Sequence, residues 1–121
     1  MTKVATRVSP AARKAERRRA ERRRIVQRCF VRLRGVAGSS GWRGVAYNIS
    51  PGGIGIALPL PLWRGVSLTI EPHELPGARI LQARVAHVQP LEWAWMCGCE
   101  LEERLSEREL HAWLEGGRAW D

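Results

Sequence analysis

The chain has 121 residues, 45% of them hydrophobic and 26% charged, enough for one globular core and one domain. No apolar run approaches the roughly 18–20 residues of a membrane helix, and the polar, arginine-rich N-terminus lacks the apolar stretch of a secretory signal. The odd count of 3 cysteines excludes a complete disulfide framework and predicts a reducing, cytoplasmic setting. The net charge of +8 is unevenly spread: residues 1–34 hold 13 Lys/Arg against 2 Glu, and the remainder 7 Arg against 10 acidic groups. A mildly acidic domain carrying a very basic N-terminal segment points to an anionic partner. A solvated arm without a partner is the alternative.

Residues 1–12 hold few large apolar groups, and residues 13–24 read RKAERRRAERRR. These are good helix formers, but no apolar stripe would dock such a helix on a core, and like charges repel across each turn. The expectation is a flexible basic arm over 1–20 that orders when anions neutralise it. A barrel domain is expected over 21–117 and a short tail over 118–121.

Short apolar runs broken by Gly and Pro follow. Residues 29–36 place Cys29, Val31 and Leu33 on one parity and Phe30, Arg32 and Arg34 on the other, the pattern of a strand with one apolar face. A glycine- and serine-rich turn leads to a second strand over 42–49, and NISPGG (48–53) is a dense turn signal. Strands are predicted over 54–58, 65–70, 78–88 and 92–101. In the last, Trp93, Trp95, Cys97, Cys99 and Leu101 share a parity and are expected to face the interior, while Trp42 and Trp63 lie near turns as candidate exposed aromatics.

The C-terminal segment changes period. Ser106 with Glu109 three positions on fits a capping box, Leu110, Trp113 and Leu114 follow at helical spacing, and Gly116-Gly117 is a stop signal. Six strands and one amphipathic helix imply an all-β fold: a six-stranded antiparallel barrel with a C-terminal α-helix over an opening or edge.

Two patterns carry the functional reading. Arg24 and Arg28 form R-x-x-x-R where the basic segment enters the first strand, and Asn48, Ser50 and Gly53 form N-x-S-x-x-G at the turn after the second. Adjacent antiparallel strands would bring the two to the same end of a barrel. In this order and separation, ERRRIVQR and NISPGGIGI resemble the two motifs of the PilZ domain family, and MCGCELEERLSERELHAWL looks like its last strand and helix. The resemblance covers roughly residues 21–115.

The resemblance implies a receptor for the bacterial second messenger cyclic di-GMP, with Arg23, Arg24, Arg28, Asn48, Ser50 and Gly53 as binding residues. Arginine suits that ligand because its planar, permanently charged fork grips a phosphate or the O6/N7 edge of guanine with two parallel hydrogen bonds. Asn48 offers both an acceptor and a donor to guanine, and Ser50 does so from a hydroxyl. The family more often has Asp at the first motif position, so neutral Asn48 gives up a charge-assisted bond. Gly53, with Gly52, is expected to supply positive φ and close backbone approach. Arg17, Arg18, Arg19 and Arg22 read as a steering face, and the NISPGG segment also satisfies simple turn chemistry.

No nucleophile–base pair or paired carboxylates are recognisable, so no enzymatic activity is expected. No metal is expected either, because Cys97 and Cys99 are same-face strand positions and His73, His87 and His111 lack ligand spacing. With a chain that is almost all receiver, signalling is expected to pass to a downstream protein partner. Two alternatives stand: a PilZ-like adaptor in motility or pilus assembly that does not bind the nucleotide, and a small RNA- or DNA-binding barrel whose basic arm neutralises phosphates.

Overall fold

The computed structural model describes residues 22–36 and 40–117. Its strands are β1 (Arg23–Leu33), β2 (Trp42–Ser50), β3 (Gly53–Leu58), β4 (Ser67–Pro72), β5 (Leu81–Pro90) and β6 (Trp95–Leu101), followed by helix α1 (Glu107–Gly117). All pairings are antiparallel and the sheet closes in the order β1-β2-β3-β6-β5-β4. The expected six-stranded barrel with one C-terminal helix is therefore the fold. The expected arm over 1–20 and tail over 118–121 lie outside the described residues.

Alternation builds the core. Along β1, Ile25, Gln27, Cys29 and Val31 point inward while Arg24, Val26, Arg28 and Arg32 are exposed. Ile49, Ile54, Ile56, Leu68, Ile70 and Val85 complete the interior from the other strands, each worth about 1.5–3 kcal/mol relative to exposure. Outside, the Arg32 guanidinium lies 5.0 Å from the Phe30 ring centroid.

The capping box forms as its spacing predicts: the Glu109 N–H donates to Ser106 Oγ (3.1 Å), and the Ser106 N–H donates to Glu109 Oε1 (2.8 Å). Helix α1 packs on β1 and buries Leu110 and Trp113. The indole Nε1–H of Trp113 donates to the Arg79 carbonyl at 3.0 Å, so the helix is held by both area and a directed bond.

Several boundaries differ from the sequence expectation. Strand β1 begins at Arg23, not at 29, because residues 23–28 find a ladder on β2 that their arginine-rich composition did not advertise. Strand β5 starts at Leu81, not 78, and β4 starts at Ser67 and runs on to Pro72. Strand β6 starts at Trp95, because Leu91–Ala94 form the hairpin turn, closed by the Leu91 N–H to the Ala94 carbonyl at 2.8 Å. Trp93 therefore sits on the turn at 89% exposure, outside the interior stripe expected of it. Trp63 is exposed as expected, whereas Trp42 is half-buried and packs on the core. All three cysteines are buried thiols, and burial pushes Cys29 and Cys99 each up to about 12.

Candidate functional site

Strand β1 reaches past the barrel's closure. Only its second half, Cys29–Leu33, pairs with β4, while its ladder with β2 runs from Arg23 to Val31 with a register shift between Arg24 and Gln27. Three bonds fasten the junction, one of them from Gln27 Nε2 to the Arg28 carbonyl at 3.0 Å. The buried Gln27 amide Nε2 donates to the His73 carbonyl at 3.1 Å, and the His73 N–H donates to the Arg28 carbonyl at 3.0 Å. They hold the Arg28 backbone while its side chain stays exposed.

Register then brings the two sequence motifs together. Arg24 stands directly opposite Asn48, and Asn48 opposite Gly55 on β3. Arg28 lies opposite Val45, which faces Ala57. Continued onto β6 and β5, these outward rows read Arg24, Asn48, Gly55, Gly98, His87 and Arg28, Val45, Ala57, Met96, Gln89. Neither row contains a carboxylate.

Arg23, Arg24 and Arg28 are exposed and form no ion pair with any described residue. The arginines near the helix differ. Arg34 pairs with Glu102, and Arg79 with Glu103 and, at 2.8 Å, Glu109. Both line a depression of about 350 Å³ together with Gln82, Glu102 and Glu103. That cavity's positive charge is already neutralised, whereas Arg24 and Arg28 leave unneutralised charge on the open strand surface, where it can attract an anion.

The remaining motif residues serve the turn. Ser50 is buried, and its Oγ donates to the Gly53 carbonyl at 3.4 Å. Gly53 pairs with Ser50 across the turn and with Glu100 on β6. The positive φ expected of Gly52 and Gly53 is not found; among described glycines it belongs to Gly35, Gly65 and Gly77. Arg24 and Arg28, expected ahead of a first strand starting at 29, are both residues of β1.

Sequence reasoning missed the glycine that shapes the site. A Cβ on Gly55 would lie 2.8 Å from Asn48 Oδ1, 3.0 Å from its Nδ2 and 3.0 Å from Tyr47 Cζ. Tyr47 is the extra residue of a bulge between Ala46 and Asn48, so two consecutive side chains settle over the same bare position. Burial raises the Tyr47 pKa and the nearby Arg22 charge partly offsets this, so the phenol stays neutral at physiological pH. A glycine between two inward isoleucines, Ile54 and Ile56, was the available signal.

The fold and this site define a small closed β-barrel domain with a cationic outer strand face. The chain matches the PilZ domain over residues 16–116 and belongs to that family, whose members are cyclic di-GMP-binding receptors and adaptors. Among solved structures it is similar to the Bacillus subtilis inhibitor of motility MotI/DgrA, with a TM-score of 0.56 and 20% identity. That likeness, a likeness of fold, covers 81% of this chain and 48% of the other, so this chain spans about half the length of that protein. No curated protein sequence matches the chain. Among the described residues, no helix is long and apolar enough to cross a membrane, and no group of three or more His, Cys, Asp or Glu is placed to hold a metal ion.

Proposed function

We propose that this protein is a cyclic di-GMP receptor of the bacterial cytoplasm that passes the signal to a protein partner. The observation that carries the reading is the register of Arg24 against Asn48, beside Arg28, on an outer face free of carboxylates in both rows. Arg23, Arg24 and Arg28 supply forks for the phosphates and guanine edges. Asn48, whose amide makes no hydrogen bond with a described residue, reads a guanine edge. Ser50 and Gly53 shape the turn that sets Asn48, and Ser50 reaches the ligand only by exchanging its bond to the Gly53 carbonyl.

Binding neutralises the cations of β1, which creates a new surface for a partner. Calorimetric titration of the purified protein with cyclic di-GMP at physiological salt tests the reading. Saturable binding that GMP and single-stranded DNA do not reproduce is expected. Absence of saturable binding would overturn it in favour of a nucleotide-independent adaptor, the role that neutral Asn48 and the inward Ser50 hydroxyl favour. Equal, steeply salt-dependent binding to single-stranded DNA would overturn it in favour of a nucleic-acid-binding barrel.

A further inference from the structure

The outer row that begins with Arg24 and Asn48 continues beyond the residues the motifs single out. Gly55 on β3 pairs directly with Gly98 on β6, and Gly98 pairs with His87 on β5. Ile54, Ile56, Cys97 and Cys99 on either side point inward, so a side chain at 55 or 98 would project from the outer face. Two adjacent strands therefore present bare backbone at the same level.

Both bare positions are roofed by rings. A Cβ on Gly98 would lie 2.1 Å from His87 Cε1, 2.3 Å from its Nε2 and 2.8 Å from its Nδ1, so the imidazole occupies that space. On the other side Tyr47 and Asn48 occupy the space over Gly55. Each ring comes from a strand whose register slips beside the glycine it covers: β2 between Ala46 and Asn48, β5 between Val85 and His87. A bulge gives up ladder hydrogen bonds and re-aims side chains, and bulges gather next to binding sites. Two bulges here aim two rings at one glycine pair.

The polar edges above that floor are unused. The His87 imidazole and the Asn48 amide make no hydrogen bond or ion pair with any described residue, and Arg24 continues the row without a counter-ion among the described residues. A shallow face with two rings, free hydrogen-bonding edges and unpaired guanidinium groups suits a planar heteroaromatic group attached to a phosphate. Covering of glycine backbone accounts for the rings, and the solvent-facing polar edges beside them, unpaired among the described residues, are open to a ligand.

We infer that Tyr47 and His87 are base-contacting residues: one guanine of the bound dinucleotide stacks against this ring pair above Gly55 and Gly98, its edge turned to Asn48 and its phosphate to Arg24. This deepens the receptor reading and rests on it. Stacking on an aromatic side chain is sequence-tolerant and strong enough to register in affinity, so neither ring needs a family motif to serve.

The test is titration of cyclic di-GMP into wild type, Tyr47→Phe, Tyr47→Leu, His87→Leu and Arg24→Ala, with thermal unfolding followed on each. Tyr47→Leu and His87→Leu are expected to bind at least fivefold more weakly while unfolding cooperatively, and Tyr47→Phe to bind as wild type does. In wild type, the His87 ring protons and the guanine H8 proton are expected to shift together in NMR spectra at the same ligand concentration, a readout that needs no variant. Wild-type affinity in both Leu variants, with Arg24→Ala weakened, overturns this inference and leaves the receptor reading standing. An unmoved His87 resonance at saturation also overturns it. No binding by wild type overturns both.

Discussion

Replacing Arg24 with alanine separates a specific contact from diffuse attraction. Arg24 is exposed and forms no ion pair with a described residue, so its loss should change stability by no more than about 0.5 kcal/mol, as at ordinary surface positions. In the proposed complex the same guanidinium would make charge-assisted hydrogen bonds, worth about 1.5–3 kcal/mol. At 1.4 kcal/mol per decade, cyclic di-GMP affinity should fall roughly tenfold to a hundredfold. Arg34→Ala removes the same unit charge from a residue already paired with Glu102 beside the other depression. With charges screened over about 8 Å at physiological salt, that control should weaken binding by about twofold or less. Arg24→Lys keeps the charge and loses the fork, and should fall between the two. Calorimetric titration of the three variants at two salt concentrations checks this. Equal weakening by Arg24→Ala and Arg34→Ala, both abolished by salt, would refute a specific role for the Arg24–Asn48 pair.

Trp113→Phe keeps most of the buried ring but leaves the Arg79 carbonyl without its 3.0 Å donor, so urea unfolding should show a loss of about 1–3 kcal/mol. Gly44→Ala places a Cβ 2.8 Å from Leu58 Cδ2 and 3.0 Å from the Ala57 carbonyl oxygen, and should destabilise by about 1–3 kcal/mol through overpacking, read as a lower melting temperature. The Ser106 N–H and Arg79 hold the Glu109 carboxyl below its ordinary range. Its stabilisation is thus complete above the unfolded-state value and lost as pH falls through the depressed one; the stability gap between wild type and Glu109→Gln, measured by urea unfolding, should shrink as the solution is acidified. With burial pushing Cys29 and Cys99 up to about 12, a thiol reagent at neutral pH should label them only on unfolding, as a mass-resolved time course will show.

Features that depend on neighbours in the chain were legible in the sequence. Inward Cys29 and Val31 follow from alternation, and the Ser106–Glu109 cap and buried Trp113 from helical spacing. Both arise within a few residues, where composition and period dictate the local energy. The strand–turn rhythm and the terminal helix therefore announced the barrel, and the R-x-x-x-R and N-x-S-x-x-G patterns announced the end of it to inspect.

Pairing decided the rest. The arginine-rich stretch 23–28 is strand because β2 offers it a ladder, which its composition alone does not reveal. Trp93 matches the parity of Cys97 and Cys99, yet the hairpin turn takes it out of β6 before alternation can bury it. Ser50 reads as a ligand contact in the motif, but its hydroxyl turns to the Gly53 carbonyl. Tyr47, Gly55, Gly98 and His87 come from four different strands. Their shared level on the outer face depends on register and on two bulges, and one extra residue in a strand reassigns which side chains face which neighbours. Residue types and short-range spacing determined the elements and the motif residues; long-range hydrogen-bond register, set only when the barrel closes, determined which of them meet.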